Sequence, residues 1–175
     1  MPEIKIGVVT DSHMGGFDKQ ITEALKREGL DAVAYLGDAP RQHNTPKQKQ
    51  LDDLLKTLRT YDKVDVPVFW IPGNYEDFDA YHEAFGQLED DLDNVTDATR
   101  CGKYTFKLNG VEIDFVFVPG ARGFSRGFRV RDDFPTGDYS IEESGQVDKV
   151  HIFNPHDLEG LVTNPAEALF LHTTQ

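Results

Sequence analysis

Three short apolar runs, each stopping at a carboxylate or an amide with glycine close by and each separated from the next by a helical pattern, constrain this chain most tightly. The first lies in residues 3–16, EIKIGVVTDSHMGG, where Ile4, Ile6, Val8 and Val9 read as a buried strand and Asp11, Ser12 and His13 follow it. Residues 18–30 then predict a helix, with Phe17, Ile21, Ala24 and Leu25 at helical spacing, Asp18 near the start, Lys26 and Arg27 in the last turn, and Gly29 as a stop. The second run, DAVAYL at 31–36, ends in Gly37 and Asp38. Thr45 and Pro46 read as a cap and a first-turn proline, after which Leu51, Leu54, Leu55, Leu58 and Tyr61 fall on one helical face. The third run, VPVFWI at 66–71, ends in Pro72, Gly73 and Asn74. Strand alternating with helix predicts right-handed parallel crossovers, and it gathers the three polar strand ends at the edge where open α/β sheets bind ligands.

The remainder is less regular. Residues 76–85 predict a short helix with Phe78, Tyr81 and Phe85 inward, and residues 89–97 an acidic loop. Residues 104–118 predict a β-hairpin turning at Asn109-Gly110, with Tyr104, Phe106 and Leu108 facing Phe115, Ile113 and Val111. A glycine- and arginine-rich loop is expected over 119–139, strands over 149–153 and 168–171, and a short helix over 155–162. Length predicts one domain over residues 1–175.

Composition narrows the chemistry. A formal charge of −13 disfavours duplex nucleic acid as a partner, because that affinity comes from cations neutralising phosphates. No apolar run approaches the length of a membrane span and the N-terminus lacks the order of a signal peptide, so a cytoplasmic protein with no membrane partner is expected. Cys101 is the only cysteine, which leaves His, Asp, Glu and Asn to hold any metal. In extended backbone, Asp11 and His13 would point the same way and aim a carboxylate and an imidazole at one place. Arg122, Arg126, Arg129 and Arg131 are half of the eight arginines, and they crowd into the 119–139 loop. Planar guanidinium groups match phosphate bidentately, so Arg122, Arg126 and Arg129 are candidate substrate-binding residues, with Phe124 or Phe128 against the substrate's apolar part. The alternative is that these arginines pair with Asp132, Asp133, Glu142 and Glu143.

Taken in order, Asp11-x-His13, Gly37-Asp38, Gly73-Asn74 and a final strand stopping at His172 resemble the calcineurin-like metallophosphoesterase family across the whole chain. That resemblance implies an α/β sandwich of two mixed β-sheets flanked by helices, with the motifs on loops after strands. It implies two divalent metal ions as cofactors, manganese first, with iron, zinc or magnesium as alternatives. Asp11 and His13 would hold the first ion, Asp38 would bridge both, and Asn74 and His172 would hold the second. Asp38 and Asn74 would thereby be the catalytic residues of a hydrolase, a phosphatase or phosphodiesterase, in which hydroxide bridging the metals attacks the phosphorus of a phosphomonoester or phosphodiester substrate.

Two departures from the family pattern accompany the resemblance. Tyr75 stands where the family often has a leaving-group histidine, and a phenol is a poor proton donor at neutral pH. The family also continues to a Gly-His-x-His motif that this sequence lacks, so the C-terminal part of the fold is expected to be missing. An open sheet edge that pairs with a second copy is expected to follow. The reading from a different class is a non-catalytic scaffold of the same fold that binds a protein partner, as the retromer's phosphoesterase-like subunit does.

Overall fold

The computed structural model describes residues 4–12, 17–40, 44–99, 103–108, 110–121, 125–143, 145–158 and 168–171. Strands β1 (Ile6–Val9), β2 (Ala32–Tyr35), β3 (Val68–Trp70) and β4 (Val95–Asp97) form one parallel sheet in that order. Helices α1 (Asp18–Arg27), α2 (Lys47–Tyr61) and α3 (Phe78–Leu88) make the three crossovers. Parallel strands covered on both faces need apolar residues at successive positions, and β2 and β3 are buried throughout.

The two faces of this sheet are packed differently. On the helical face, Val33, Tyr35, Val68 and Trp70 meet Leu54, Leu58 and Tyr61 of α2 and Tyr81 and Ala84 of α3. Tyr35 and Trp70 stack with centroids 3.5 Å apart, and Tyr61 meets both rings edge-on. Each such aromatic pair contributes about 0.5–1.5 kcal/mol beyond the area it buries. On the other face, Ala32 and Ala34 are small enough to admit Phe115 and Phe117 against Phe69 and Ile71. Those phenylalanines belong to a second sheet, β10 (Ala168–Leu171), β6 (Val111–Val118) and β5 (Lys103–Leu108), in which β10 runs parallel to β6 and β5 antiparallel. The sandwich is therefore the mixed α/β architecture expected. The hairpin register also follows the apolar pattern, with Tyr104 opposite Phe115, Phe106 opposite Ile113 and Leu108 opposite Val111.

Several expectations are corrected. A third sheet, β7 (Phe128–Val130), β9 (Gln146–Phe153) and β8 (Gly137–Glu143), occupies part of the 119–139 stretch read as loop, and Phe128 is buried against Phe78 and Tyr81 of α3. Residues 95–97 are strand rather than acidic loop, because one buried residue, Val95, pairs beside Val68 and is enough to seat three residues on the sheet. Pro46 itself is the N-cap of α2, and the Thr45 side chain makes no cap there. In α1, Ile21 and Leu25 pack against the core as expected, whereas Phe17, just before the helix, and Ala24 are exposed and Thr22 is buried. A 3-10 turn at Pro155–Leu158 replaces the start of the expected helix. Val8 is 54% exposed on β1, an edge strand of its sheet among the described residues, so β1 is not buried throughout. Among the described residues no helix is long and apolar enough to cross a membrane.

Gly37, just past β2, tests the packing of the strand ends. Its φ is +83°, and an added Cβ would lie 2.0 Å from the Gly73 nitrogen and 2.5 Å from its Cα. Gly29, at φ +60°, has nothing within 4 Å of that position. Gly29→Ala should therefore cost only the left-handed backbone penalty, about 1 kcal/mol. Gly37→Ala adds a collision with main chain and should cost about 3 kcal/mol or more in urea denaturation. Equal costs at the two positions would contradict the close approach of these strand ends.

Candidate active site

Hydrogen bonds between successive strand ends build the site. The Leu36 N–H donates to the Val9 carbonyl at 2.7 Å, Asp11 N–H to the Gly37 carbonyl at 3.1 Å, and Ile71 N–H to the Tyr35 carbonyl at 2.9 Å. Asp11, Asp38 and Asn74 thus sit on three adjoining loops at one rim. The second sheet reaches the same rim, since Leu171 lies opposite Val118 and the Gly120 N–H donates to the Pro72 carbonyl at 2.9 Å. His13, His172 and Arg122 lie outside the described residues.

Asp11 and Asp38 carry the two positive φ angles found among the non-glycine residues described, 53° and 58°. Aspartate tolerates this left-handed conformation better than most residues, and strain of this kind concentrates at functional positions. It also corrects one expectation, because the backbone turns at Asp11 and does not run on extended toward His13.

Asp38 is 2% exposed, and its Oδ1 accepts the N–H groups of Asn74 at 2.9 Å and Tyr75 at 3.0 Å. Charge-assisted bonds of this kind fix a carboxylate's position as well as stabilise it. Glu76, fully buried, returns the arrangement in the other direction: Oε1 accepts the Ala39 N–H and Oε2 the Gly73 N–H, each at 2.9 Å. Burial, with the Asp38 carboxylate nearby, pushes the Glu76 carboxyl up to about 7, against the pull of those two N–H groups. From α2, the buried Gln50 amide accepts the Asp77 N–H at 2.9 Å and donates to the Tyr75 carbonyl at 3.2 Å.

Sequence reading assigned no role to Glu76 or Gln50. For Gln50 a signal existed, because it falls at helical spacing with Leu54 and Tyr61 on the buried face of α2. A polar residue on such a face needs partners.

The arginines disperse. Arg126 donates from Nη1 to the Thr45 carbonyl at 2.7 Å, approaches Asp77 with Nη2 at 3.3 Å, and gives its backbone N–H to the Asn74 carbonyl at 3.1 Å. Arg129 engages Glu143 through both terminal nitrogens, the nearer at 2.8 Å, and the Ser125 carbonyl through Nε. Arg131 pairs with Asp133 and lies over the Phe134 ring. Phe128, offered as a substrate contact, is core.

Among the described residues no three of His, Cys, Asp and Glu gather closely enough to hold an ion. The side chains borne by these three strand-end loops, two carboxylates and a carboxamide, are of the type that oxygen-preferring divalent cations take.

Removing the Glu76 carboxylate should test the way these loops are joined. Glu76→Ala strands two buried N–H groups and should cost about 2 kcal/mol or more, with Glu76→Gln less damaging because one acceptor remains. Urea denaturation that places both variants within about 0.5 kcal/mol of the parent would contradict this structural role.

A sequence profile described as calcineurin-like phosphoesterase matches residues 4–169. Among solved structures, TT1561 of Thermus thermophilus resembles the chain with a TM-score of 0.61 and 14% identity, over 97% of this chain and 68% of that one. A second crystal structure matches with a TM-score of 0.58 and 12% identity, over 96% and 67% of the two chains. No curated protein matches significantly in sequence.

Proposed function

This chain belongs to the calcineurin-like phosphoesterase family, and from that premise we propose that it hydrolyses a phosphomonoester or phosphodiester at the crevice of Asp11, Asp38 and Asn74. Two carboxylates held on left-handed backbone at the ends of neighbouring parallel strands, with Asp11 N–H bound to the Gly37 carbonyl, carry the proposal. Asp11, Asp38 and Asn74 would hold two divalent ions, manganese foremost, and the family resemblance adds His13 and His172 to that set. Bound ions would supply electrophilic pull on the phosphoryl oxygens and activation of water.

The chain's own contribution is position. Asp38 is fixed by the Asn74 and Tyr75 N–H groups, so its carboxylate is oriented before any ligand arrives. Glu76 and Gln50 keep the loops after β2 and β3 from separating, a support that sites of this kind need to stay productive. The Arg126 backbone N–H holds the Asn74 carbonyl at 3.1 Å.

Purified protein loaded with manganese and desalted should hydrolyse p-nitrophenyl phosphate or its bis-ester, and chelator should abolish the turnover. Asp38→Ala should lower both bound manganese and kcat/KM, the latter by about a hundredfold or more. Tight metal binding with no turnover on either ester would replace hydrolysis by a scaffold role. Equal manganese in parent and variant would remove Asp38 from the site.

A further inference from the structure

Away from the rim, a groove of about 480 Å³ lies between α1 and α2. Four of the protein's ten lysines line it, in a chain with 31 acidic residues against 18 basic ones. Two of the three acids in its wall are already engaged: Glu23 lies 4.0 Å from Lys19, and Asp53 is 3.1 Å from Lys49, which lies outside the groove. The third, Asp18, is drawn toward its neutral form by burial, against a hydrogen bond with the Ser12 side chain and, more weakly, the Lys56 charge. Lys26, Lys56 and Lys63 form no ion pair among the described residues, so three lysines line one cavity without a directly bonded counter-charge there.

The groove is also rich in acceptors. Thr22, Thr57 and Thr60 each donate their hydroxyl hydrogen to a carbonyl of their own helix, at 3.0, 2.9 and 2.8 Å, leaving the oxygens as acceptors toward any occupant. Asp18 stands at one end, with Oδ1 buried and lacking a hydrogen-bond partner. An occupant matched to these walls carries an anionic group for the lysines and hydroxyl donors for the threonines and Asp18. A volume of this size takes a small organic molecule, where bare phosphate would leave most of it unfilled.

We propose that the groove between α1 and α2 is a second, non-catalytic binding site for a phosphorylated polyol, with Lys26, Lys56 and Lys63 on the phosphate and Asp18 and the threonine oxygens on its hydroxyls. This site stands whether or not the rim is hydrolytic. Its contacts require no metal.

The test is calorimetric titration of the chelator-treated 175-residue protein with glucose 6-phosphate, inorganic phosphate and glucose at low ionic strength. Saturable one-to-one binding of glucose 6-phosphate is expected, with inorganic phosphate weaker and glucose without measurable binding. The combined Lys26→Gln, Lys56→Gln, Lys63→Gln variant should bind glucose 6-phosphate at least about tenfold more weakly, since each charge-assisted contact contributes that much or more. A control variant, Lys5→Gln with Lys107→Gln, changes exposed lysines elsewhere and should bind like the parent; circular dichroism and melting of both variants confirm that they fold. The single Lys56→Gln change, should the triple variant melt early, is expected to weaken binding alone. No saturable binding by the parent, equal weakening in groove and control variants, or equal affinity for inorganic phosphate and glucose 6-phosphate would each overturn the assignment.

Discussion

The rim depends on one reciprocal arrangement. The loop after β2 lends Asp38 to the N–H groups of Asn74 and Tyr75, and the loop after β3 lends Glu76 to the N–H groups of Ala39 and Gly73. Each loop's acid satisfies backbone donors that would otherwise be buried without acceptors, a state that costs about 1–3 kcal/mol per group. The bonds reach this far only because Gly37 and Gly73 pass main chain against main chain, where no side chain fits. Two carboxylates in so small a volume repel, and together with burial this raises the Glu76 pKa. The arrangement spends electrostatic energy to place Asp38 beside Asp11 and Asn74.

Much of the scaffold was legible because its signals are periodic and local. AVAY and VFW are too short and too apolar for anything but covered strands, and Leu51, Leu54 and Leu58 mark one face of α2. The hairpin register follows from alternation, since a slip of one residue would turn Phe115 and Phe117 out of the core. What escaped was fixed by tertiary contact. Val95 is one of two apolar residues in an acidic stretch, and pairing with β3 makes a strand of its neighbourhood. Thr22 of α1 is buried and Phe17, just before the helix, is exposed, an assignment that spacing alone does not encode.

For the site, the residue types were readable and their support was not. Asp11, Asp38 and Asn74 stand at strand ends, the last two directly after glycine, a pattern visible in one dimension. Glu76 is two residues beyond Asn74 and looked like an ordinary loop acid; its partners are main-chain atoms, one of them on another loop. The arginines show the converse. Crowding in sequence suggested a single cationic surface, yet Arg126 turns to Asp77 and Thr45, Arg129 to Glu143 and Arg131 to Asp133 and Phe134.

Anomalous diffraction from crystals grown with manganese, collected above and below the manganese absorption edge, tests the central claim directly. Ions bound by Asp11, Asp38 and Asn74 should give anomalous density within coordination distance of those three side chains, and none at that place in crystals of Asp38→Ala. Density confined to other acidic surface residues, or an unoccupied rim at saturating manganese, would contradict the assignment of this crevice as a metal centre.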